Sequence, residues 1–398
     1  MPKYAIHLFM PATVLLLSAI LIALPSTGAA AGSPGAPIIP APPQLAAEGY
    51  LLLDADTGRV LVEHNSKQRL PPASLTKIMT SYVAAEEIER GTLTETEEVD
   101  VSVKAWRMEG SRMFIQEGTK VSVDQLLKGI IIQSGNDASV AMAEHIAGGE
   151  DAFADVMNQH AMRLGMSDTN FMNATGLPDE DHYTTASDLA KLTIALINRH
   201  PEHYKLYSEK SFRYNEINQS NRNKLLWADR SVDGVKTGHT EAAGYCLVAS
   251  AVRNNMRLIS VVMGTKSEKA RATESQKLLS YGFRYFETVR LYDAREILNT
   301  VRLWNAEVSS VSMGLGEAVV ITLPRGSKGS LSAAMDVESV ILGPISAGQA
   351  LGQLTVSMGD NVVYEGPLIA LADIPEAGFF KRMWHSLSLF ALQLFGGD

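Results

Sequence analysis

The spacing of apolar residues changes at about residue 288, and this change limits what the chain can fold into. Before it, apolar residues recur at helical spacing, as over 121–147, and two longer β-branched runs occupy 245–252 and 257–263. After it, only short strand-like runs remain, separated by Gly, Asn and Pro. Because 398 residues leave room for two domains, this pattern predicts a domain of mixed helices and strands, followed by a small all-β domain over 291–375.

Turn residues and apolar periodicity place the first elements of the mixed domain. Apolar runs at 50–54 and 60–62 flank a Thr-Gly turn, which predicts a β-hairpin. A helix is predicted over 74–90, because a Pro-Pro pair precedes it and a glycine follows it. Further helices are predicted over 121–147 and 151–165, and the two longer β-branched runs predict a second hairpin.

The start of the chain has the pattern of an export signal. One lysine precedes an apolar stretch over 12–24, and a proline and four small residues at 28–31 follow it. The stretch is shorter than the roughly 20 apolar residues that span a bilayer, which favours a cleaved signal peptide at 1–31 over a retained anchor. Residues 32–44, rich in Pro, Gly and Ala, are then predicted to form an extended leader.

Composition excludes several classes of protein. With Lys+Arg 35 and Asp+Glu 44, the formal net charge is −9, whereas nucleic-acid binding depends on clustered positive charge. Nucleic acid is therefore not an expected partner. The single cysteine, Cys246, cannot form an intrachain disulfide, and the 9 histidines are too scattered for structural zinc. No metal and no cofactor are expected.

Three short motifs hold the residues that suggest chemistry. They read Ser-Leu-Thr-Lys, Ser-Gly-Asn and Lys-Thr-Gly, and they begin at Ser74, Ser134 and Lys236. Residues i and i+3 of a helix share a face, so the Lys77 amine is expected close to the Ser74 hydroxyl. To act as a base the amine must be neutral, and burial near a second cation such as Lys236 would lower its pKa. Taken alone, the first motif favours a simpler interpretation, a helix N-cap serine with a solvated lysine one turn later.

The order and spacing of these motifs resemble the active-site signature of serine β-lactamases and penicillin-binding proteins. The chain from about Tyr50 to Glu287 resembles more closely the low-molecular-mass D-alanyl-D-alanine carboxypeptidases, of the penicillin-binding protein 5 type. The segments that carry this resemblance lie at 73–83, 134–138, 173–178, 221–227, 232–240 and 244–250.

This resemblance implies both a fold and an activity. The fold is α/β (α+β): a β-lactamase/transpeptidase-like catalytic domain over 45–290, in which a helical block flanks a sheet, then the small β domain and a C-terminal helix. The activity is removal of the terminal D-alanine from peptidoglycan stem peptides ending in D-Ala-D-Ala, with a role in cell-wall maturation and cell shape. β-Lactam antibiotics are expected to acylate the same serine, because they mimic the substrate.

The resemblance also implies a role for each motif residue. Ser74 is the nucleophile, Lys77 its general base, and Ser134 a relay that passes a proton to the leaving amine. Asn136 holds the substrate amide and orients the lysine. The backbone N–H groups of Ser74 and His239 form the oxyanion hole.

The resemblance also assigns substrate binding to the third motif. Lys236 and Thr237, beside Gly238, are expected to bind the terminal carboxylate, and Arg271 is a further candidate. Cationic donors suit this task because they make charge-assisted hydrogen bonds to a carboxylate.

Three other functions use similar residues. A β-lactamase needs a positioned base for fast hydrolysis of its acyl-enzyme, and no equivalent of the class A glutamate is evident in the sequence. A DD-endopeptidase that cuts peptidoglycan crosslinks would use the same site. A non-catalytic envelope protein could bind stem peptides or penicillin, but the intact Ser74, Lys77, Ser134 and Lys236 argue against it.

Other reactive residue types have simpler interpretations. Cys246 lies in an apolar strand pattern and is predicted to be a small buried side chain. Asp188 matches a family position near the site, although a helix cap or a structural ion pair is equally consistent. Four histidines without metal-ligand spacing are assigned to the surface or to satisfied hydrogen bonds: His64, His145, His160 and His182.

Residues 376–398 have the pattern of an amphipathic helix. At 100° per residue, most of the aromatic and aliphatic residues share one face, opposite Lys381, Arg382 and His385. This pattern favours a helix that lies in the membrane interface over one that packs on the second domain, and its charges prevent it from spanning. The sequence thus predicts an exported protein on the outer face of the cytoplasmic membrane, the periplasmic side in a cell with an outer membrane. It gives no prediction of oligomeric state.

Overall fold

The computed structural model describes residues 39–395. The predicted signal peptide over 1–31 lies outside these residues, and so does the predicted leader up to residue 38. The strands of the first domain are β1 (Gly49–Asp54), β2 (Val60–His64), β3 (Glu98–Asp100), β4 (Lys120–Ser122), β5 (Ser211–Tyr214), β6 (Ile217–Ser220), β7 (Val232–Thr240), β8 (Gly244–Arg253) and β9 (Met256–Thr265). Its helices are α1 (Lys77–Glu89), α2 (Val103–Trp106), α3 (Val123–Lys128), α4 (Asn136–Ala147), α5 (Glu150–Arg163), α6 (Ala186–Arg199), α7 (Pro201–Tyr204), α8 (Leu225–Ala228) and α9 (Glu268–Tyr285).

A five-stranded antiparallel sheet in the order β2-β1-β9-β8-β7 forms the centre of this domain. Successive side chains of a strand point to opposite faces, and β1 follows this rule. Leu51 and Leu53 pack against the core of the helical block, whereas Tyr50 and Leu52 pack against the core that includes α9. The sheet therefore has helices on both faces, and the predicted mixed α/β architecture is confirmed.

Both predicted hairpins are present, as β1–β2 and β8–β9. The single helix predicted over 121–147 is wrong, because the chain forms β4, α3 and a π-helical turn over Gly129–Gln133 before α4 begins. The interruption falls at Ser134, whose φ of +66° is incompatible with a continuous right-handed helix. Apolar periodicity reports which side of a segment is buried and does not detect one left-handed residue within it.

The second domain is β-rich, as predicted, and has its own core around Leu354, Leu368 and Met313. Its strands are β10 (Phe286–Tyr292), β11 (Asn299–Trp304), β12 (Ser310–Gly314), β13 (Val319–Pro324), β14 (Leu331–Val337), β15 (Ile341–Leu342), β16 (Ala350–Met358) and β17 (Asn361–Ala370). They form a six-stranded sheet, β14-β16-β17-β12-β11-β15, and the pair β10–β13.

A buried carboxylate joins the two domains. Asp54, at the end of β1, is fully buried and accepts hydrogen bonds from the hydroxyls of Thr322, at 2.7 Å, and Thr288. Arg325 adds two hydrogen bonds of 2.8 Å to the carbonyl oxygens of Phe283 and Phe286. The second domain is thus attached to the first at the C-terminal end of β1.

The described chain ends in helix α10 (Phe379–Phe395). Its polar side contacts the second domain: Lys381 Nζ donates to the Glu307 carbonyl at 2.8 Å, and His385 Nδ1 accepts from the Asn305 N–H at 2.8 Å. Its other side leaves large apolar residues exposed, namely Phe379, Phe380, Met383, Trp384, Leu387 and Phe390. Among the described residues, no helix is long and apolar enough to cross a membrane.

Candidate active site

The first motif forms a short 3₁₀ turn, Ala73–Thr76, that leads directly into α1. This turn is tightly enclosed, because two neighbouring segments approach its backbone. A Cβ on Gly176 would lie 1.8 Å from the Ala73 carbonyl oxygen, and a Cβ on Gly238 would lie 2.9 Å from the Pro72 carbonyl oxygen. Only glycine lets the backbone of a neighbouring segment come this close, so Gly176 and Gly238 fix the position of the turn. Ser74 within this turn is partly exposed.

Lys77, the first residue of α1, has its amine in the middle of a hydrogen-bond network. Its Nζ lies 3.2 Å from Ser74 Oγ, 2.7 Å from Asn136 Oδ1 and 2.6 Å from the Thr175 carbonyl oxygen. The side chain is 1% exposed, and this burial lowers the pKa of Lys77 to about 7. A large fraction of the amine is therefore neutral near physiological pH.

The network also determines where the lone pair of the neutral amine points. A neutral amine has two N–H groups and one lone pair. The Thr175 carbonyl can only accept, and Asn136 presents its oxygen because its Nδ2 donates to the Glu109 carbonyl at 2.7 Å. These two acceptors take both N–H groups, which leaves the lone pair for the Ser74 hydroxyl. The predicted serine–base pair is therefore assembled with the serine as proton donor.

The second and third motifs meet beside this pair. Ser134, held in its left-handed conformation at the break before α4, accepts a hydrogen bond of 2.9 Å from Lys236 Nζ. The same amine donates to the Thr237 carbonyl at 2.9 Å. Burial first, and then the positive charge of Lys77, Arg222 and other cations, hold the pKa of Lys236 well below its usual value.

A cleft of about 190 Å³ opens above these residues. Six of the residues predicted from the sequence line it, namely Ser74, Ser134, Thr237, Gly238, His239 and Arg271. Lys77, Asn136 and Lys236 contact the two serines from buried positions. Arg271 also braces the wall of the cleft, because its Nη1 donates to the Gly238 carbonyl at 3.0 Å. The exposed His239 ring stacks on Tyr245, with 3.9 Å between ring centroids.

Sequence reasoning assigned no role to several residues that shape this site. Asp137 is buried and accepts hydrogen bonds from the backbone N–H groups of Met113, Phe114 and Ile115, which fixes the loop beside Ser111 in the cleft wall. Arg222 lines the cleft and donates from Nε to the Gln133 carbonyl at 3.1 Å. Asp137 and Arg222 lie inside segments that resemble the family, but a resemblance does not say which carbonyl or N–H a side chain contacts.

Asn173 organises the turn that supplies the third contact of Lys77. Its Oδ1 accepts from the Thr175 N–H at 3.1 Å, from the Thr175 hydroxyl at 2.9 Å and from the Gly176 N–H at 2.7 Å. Thr80 Oγ1 holds the same turn through the Ala174 carbonyl at 2.7 Å. The Thr175 carbonyl therefore faces Lys77 because Asn173 fixes the turn around it.

The simpler interpretations of other reactive residues agree with the structure in most cases. Cys246 is buried, which raises the pKa of its thiol to about 11. Asp188 is buried, pairs with Lys191 and accepts from Thr169, so it has a structural role. Within residues 39–395, no group of three or more His, Cys, Asp or Glu side chains could hold a metal ion.

Two of the four assigned histidines have protein hydrogen bonds and one is exposed. His182 is buried, its Nε2 lies 2.9 Å from Thr76 Oγ1, and burial lowers its pKa to about 4. His145 pairs with Glu97, and the exposed His64 stacks on Tyr50. His160 differs from the prediction, because it is buried with its ring edge against Tyr82.

This arrangement is the one expected of a serine acyl-transfer enzyme that uses a lysine as its base. Comparison with known proteins agrees. Residues 36–267 match the family model described as D-alanyl-D-alanine carboxypeptidase, and residues 286–376 match the C-terminal domain of penicillin-binding protein 5. The chain belongs to the D-alanyl-D-alanine carboxypeptidase family.

Individual relatives cover almost the whole chain. D-alanyl-D-alanine carboxypeptidase DacC of Escherichia coli is 42% identical over 89% of this chain and 90% of its own. DacA of Haemophilus influenzae, also a D-alanyl-D-alanine carboxypeptidase, is 41% identical over 89% of this chain and 92% of its own. The crystal structure of penicillin-binding protein 5 from Haemophilus influenzae superposes with a TM-score of 0.80 and 40% identity, covering 85% of this chain and 100% of its own.

The lowered pKa of Lys77 predicts a pH dependence for acylation of Ser74. With the neutral amine as the expected base, the acylation rate constant for benzylpenicillin should fall about tenfold for each pH unit well below 7 and level off above it. Stopped-flow or mass-spectrometric acylation rates from pH 5 to 9 test this, with circular dichroism at each pH as a folding control. A rate that does not change over this range would exclude Lys77 as the base.

The turn built by Asn173 predicts a second pH effect. Asn173→Ala should release the Thr175 carbonyl and admit water to Lys77, which weakens the desolvation that lowers its pKa. The inflection of the acylation profile should then move to higher pH, and the rate at pH 7 should fall about tenfold. Asp181→Ala, which removes an exposed side chain from the segment that follows this turn, serves as the matched control. If the inflection lies at the same pH in Asn173→Ala as in the wild-type protein, the turn does not affect the pKa of Lys77.

Proposed function

We propose that this protein is a serine-type D-Ala-D-Ala carboxypeptidase, which removes the terminal D-alanine from peptidoglycan stem peptides through an acyl-enzyme. The observation that carries this proposal is the buried Lys77 amine. Among residues 39–395, the Ser74 hydroxyl is its only hydrogen-bond partner able to give up a proton. Membership of the carboxypeptidase family supplies the substrate class.

The reaction follows from the positions of the side chains. Ser74 Oγ attacks the carbonyl carbon of the penultimate D-alanine, and its proton passes to Lys77 Nζ. The backbone N–H groups of Ser74 and His239 stabilise the negative oxygen of the tetrahedral intermediate. The C–N bond then breaks, and Ser134 passes a proton to the departing amine of the terminal D-alanine. Water hydrolyses the serine ester and restores the free hydroxyl.

Recognition of a free C-terminus follows from the cations around the cleft. Thr237, Arg271 and Arg222 line the cleft, and the Lys236 amine lies behind Ser134. A carboxylate placed there receives charge-assisted hydrogen bonds, so a substrate with a free terminal carboxylate is favoured. β-Lactams carry a carboxylate and a reactive amide and would acylate Ser74 in the same way. Family membership and the intact serine–lysine pair favour this function over an endopeptidase or a non-catalytic binding protein.

Release of D-alanine from a soluble peptide ending in D-Ala-D-Ala is the direct test. Protein lacking residues 1–31 and the helix after Gly378 should release it, and Ser74→Ala should reduce the rate by at least about a thousandfold, because the nucleophile is lost. Labelled penicillin distinguishes the alternatives. A wild-type protein that binds penicillin and releases no D-alanine would point to crosslink cleavage or a binding role.

We also propose that the mature protein is exported and lies on the outer face of the cytoplasmic membrane, attached through α10. The support is the division of the helix into two sides. Lys381 and His385 contact the second domain, while Phe380 and Trp384 are 79% and 69% exposed on the other side. A monomer rarely exposes such a continuous aromatic surface to water, and a membrane interface covers surfaces of this kind.

This attachment predicts vesicle binding by protein that lacks only residues 1–31. The protein should sediment with vesicles of phosphatidylglycerol and phosphatidylethanolamine, and Phe380→Asp combined with Trp384→Asp should move most of it to the supernatant. Ile297→Asp, at another exposed apolar residue of the second domain, is the matched control and should still sediment. Equal sedimentation of both variants would contradict the proposed attachment.

A further inference from the structure

A second groove lies beside the loop that contributes Ser111 to the catalytic cleft. Its volume is about 520 Å³. The residues that line it are Trp106, Arg107, Glu109, Gly110 and Arg112. Ser111 falls between the last two of these in the sequence and lines the catalytic cleft itself. One short loop therefore borders both the groove and the cleft.

This loop is held firmly against the active site. The carbonyl oxygens of Glu109 and Ser111 accept hydrogen bonds from the side chain and the backbone N–H of Asn136, both at 2.7 Å. Gly110 has a φ of +83°, and a Cβ there would lie 2.9 Å from Asn136 Nδ2. Five residues separate Trp106 from Ser111, so their Cα atoms are at most about 18 Å apart, which an extended peptide of about five residues spans. A ligand attached to a peptide in the cleft can therefore reach the groove.

The side chains of the groove are mainly aromatic and cationic. Trp106 is 37% exposed, and the Arg107 guanidinium lies 5.9 Å from the centroid of its ring. Arg112 lies 5.4 Å from the ring of the exposed Phe114. Within residues 39–395 neither guanidinium forms an ion pair, and the carboxylate in the lining belongs to Glu109. The groove thus has a net positive charge, although the formal net charge of the chain is −9.

A sugar polymer that carries carboxylates is complementary to such a groove. The C–H face of a pyranose ring packs on an aromatic ring, and exposed aromatic surfaces rimmed by polar residues are typical of ligand-binding grooves. Guanidinium groups bind carboxylates through charge-assisted hydrogen bonds. The glycan of peptidoglycan has both features, because its sugars bear stem peptides with free carboxylates. Charge complementarity and continuity with the cleft therefore favour this ligand.

We propose that this groove binds the glycan strand of peptidoglycan, with a sugar ring on Trp106 and a stem-peptide carboxylate beside Arg107 and Arg112. Each contact is weak, but it becomes intramolecular once a stem peptide of the same polymer occupies the cleft. The groove therefore raises the affinity for the polymer and does not affect a short peptide. This inference rests on the proposed carboxypeptidase function and adds a binding site for the part of the substrate outside the cleft.

Two substrates ending in D-Ala-D-Ala separate the groove from the cleft, namely a short soluble peptide and soluble glycan chains that carry the same peptide. Trp106→Ala should lower kcat/KM for the glycan chains about fivefold, because the aromatic face is lost, and should leave kcat/KM for the peptide unchanged. Arg107→Gln should lower the value for the glycan chains about two- to threefold, as expected for an exposed charge contact.

Trp227→Ala is the matched control. Trp227 is 48% exposed, Lys224 Nζ lies 5.9 Å from the centroid of its ring, and it does not line this groove. This variant should cleave both substrates as the wild-type protein does. Equal losses on both substrates in Trp106→Ala would overturn the proposal, since Trp106 would then support the loop instead of binding glycan. Unchanged cleavage of the glycan chains by Trp106→Ala would also overturn it.

Binding without turnover gives an independent test. Ser74→Ala protein that lacks only residues 1–31 should sediment with purified insoluble peptidoglycan. Adding Trp106→Ala should lower the bound fraction, and adding Trp227→Ala should not. An equal bound fraction in both double variants would contradict the proposed groove. Failure of the carboxypeptidase function itself would differ, since the wild-type protein would then release no D-alanine from either substrate, while sedimentation would still report on the groove.

Discussion

The burial of the Lys77 amine is the constraint on which the rest of the site depends. A charged amine removed from water is costly, and the protein reduces this cost by lowering the pKa and by placing two acceptors at 2.6 and 2.7 Å from Nζ. The same burial gives the amine its use, because a solvated lysine would remain protonated and could not accept a proton from Ser74. The cost in stability and the suitability of the amine as a base therefore have the same cause, the burial of Lys77.

Three separate parts of the chain must meet for this burial to occur. Asn136 reaches the amine because the helical segment breaks at Ser134 and restarts as α4. The Thr175 carbonyl reaches it because Gly176 lets its turn approach the backbone of the nucleophile turn, and Gly238 allows β7 to do the same from the other side. These close backbone approaches leave little room for adjustment, so the serine and the lysine keep their geometry without a bound substrate.

Local sequence patterns were sufficient to predict the mixed and β-rich domains and both hairpins, and the resemblance to the carboxypeptidase family supplied the residues that meet in the cleft. The break at Ser134 was missed, since the apolar spacing over 121–147 continues on both sides of the left-handed residue. Arg222 and Asn173 were missed as site residues for a different reason. Their roles depend on which backbone oxygen or N–H lies nearby, and only the folded chain brings those groups together.

The electrostatics of the cleft links substrate recognition to protonation. The chain carries a formal charge of −9, yet Lys77, Lys236, Arg222 and Arg271 are gathered around one cleft. Burial, and then repulsion from the other three cations, lowers the pKa of Lys236. A substrate carboxylate would oppose this repulsion and raise the pKa of Lys236 toward its usual value. Lys77 contacts the Ser74, Asn136 and Thr175 oxygens instead, and its neutral form remains available for the nucleophile. The two buried lysines thus differ in their contacts, because Lys77 lies beside Ser74 and Lys236 beside Ser134, and this difference supports the different roles proposed for them.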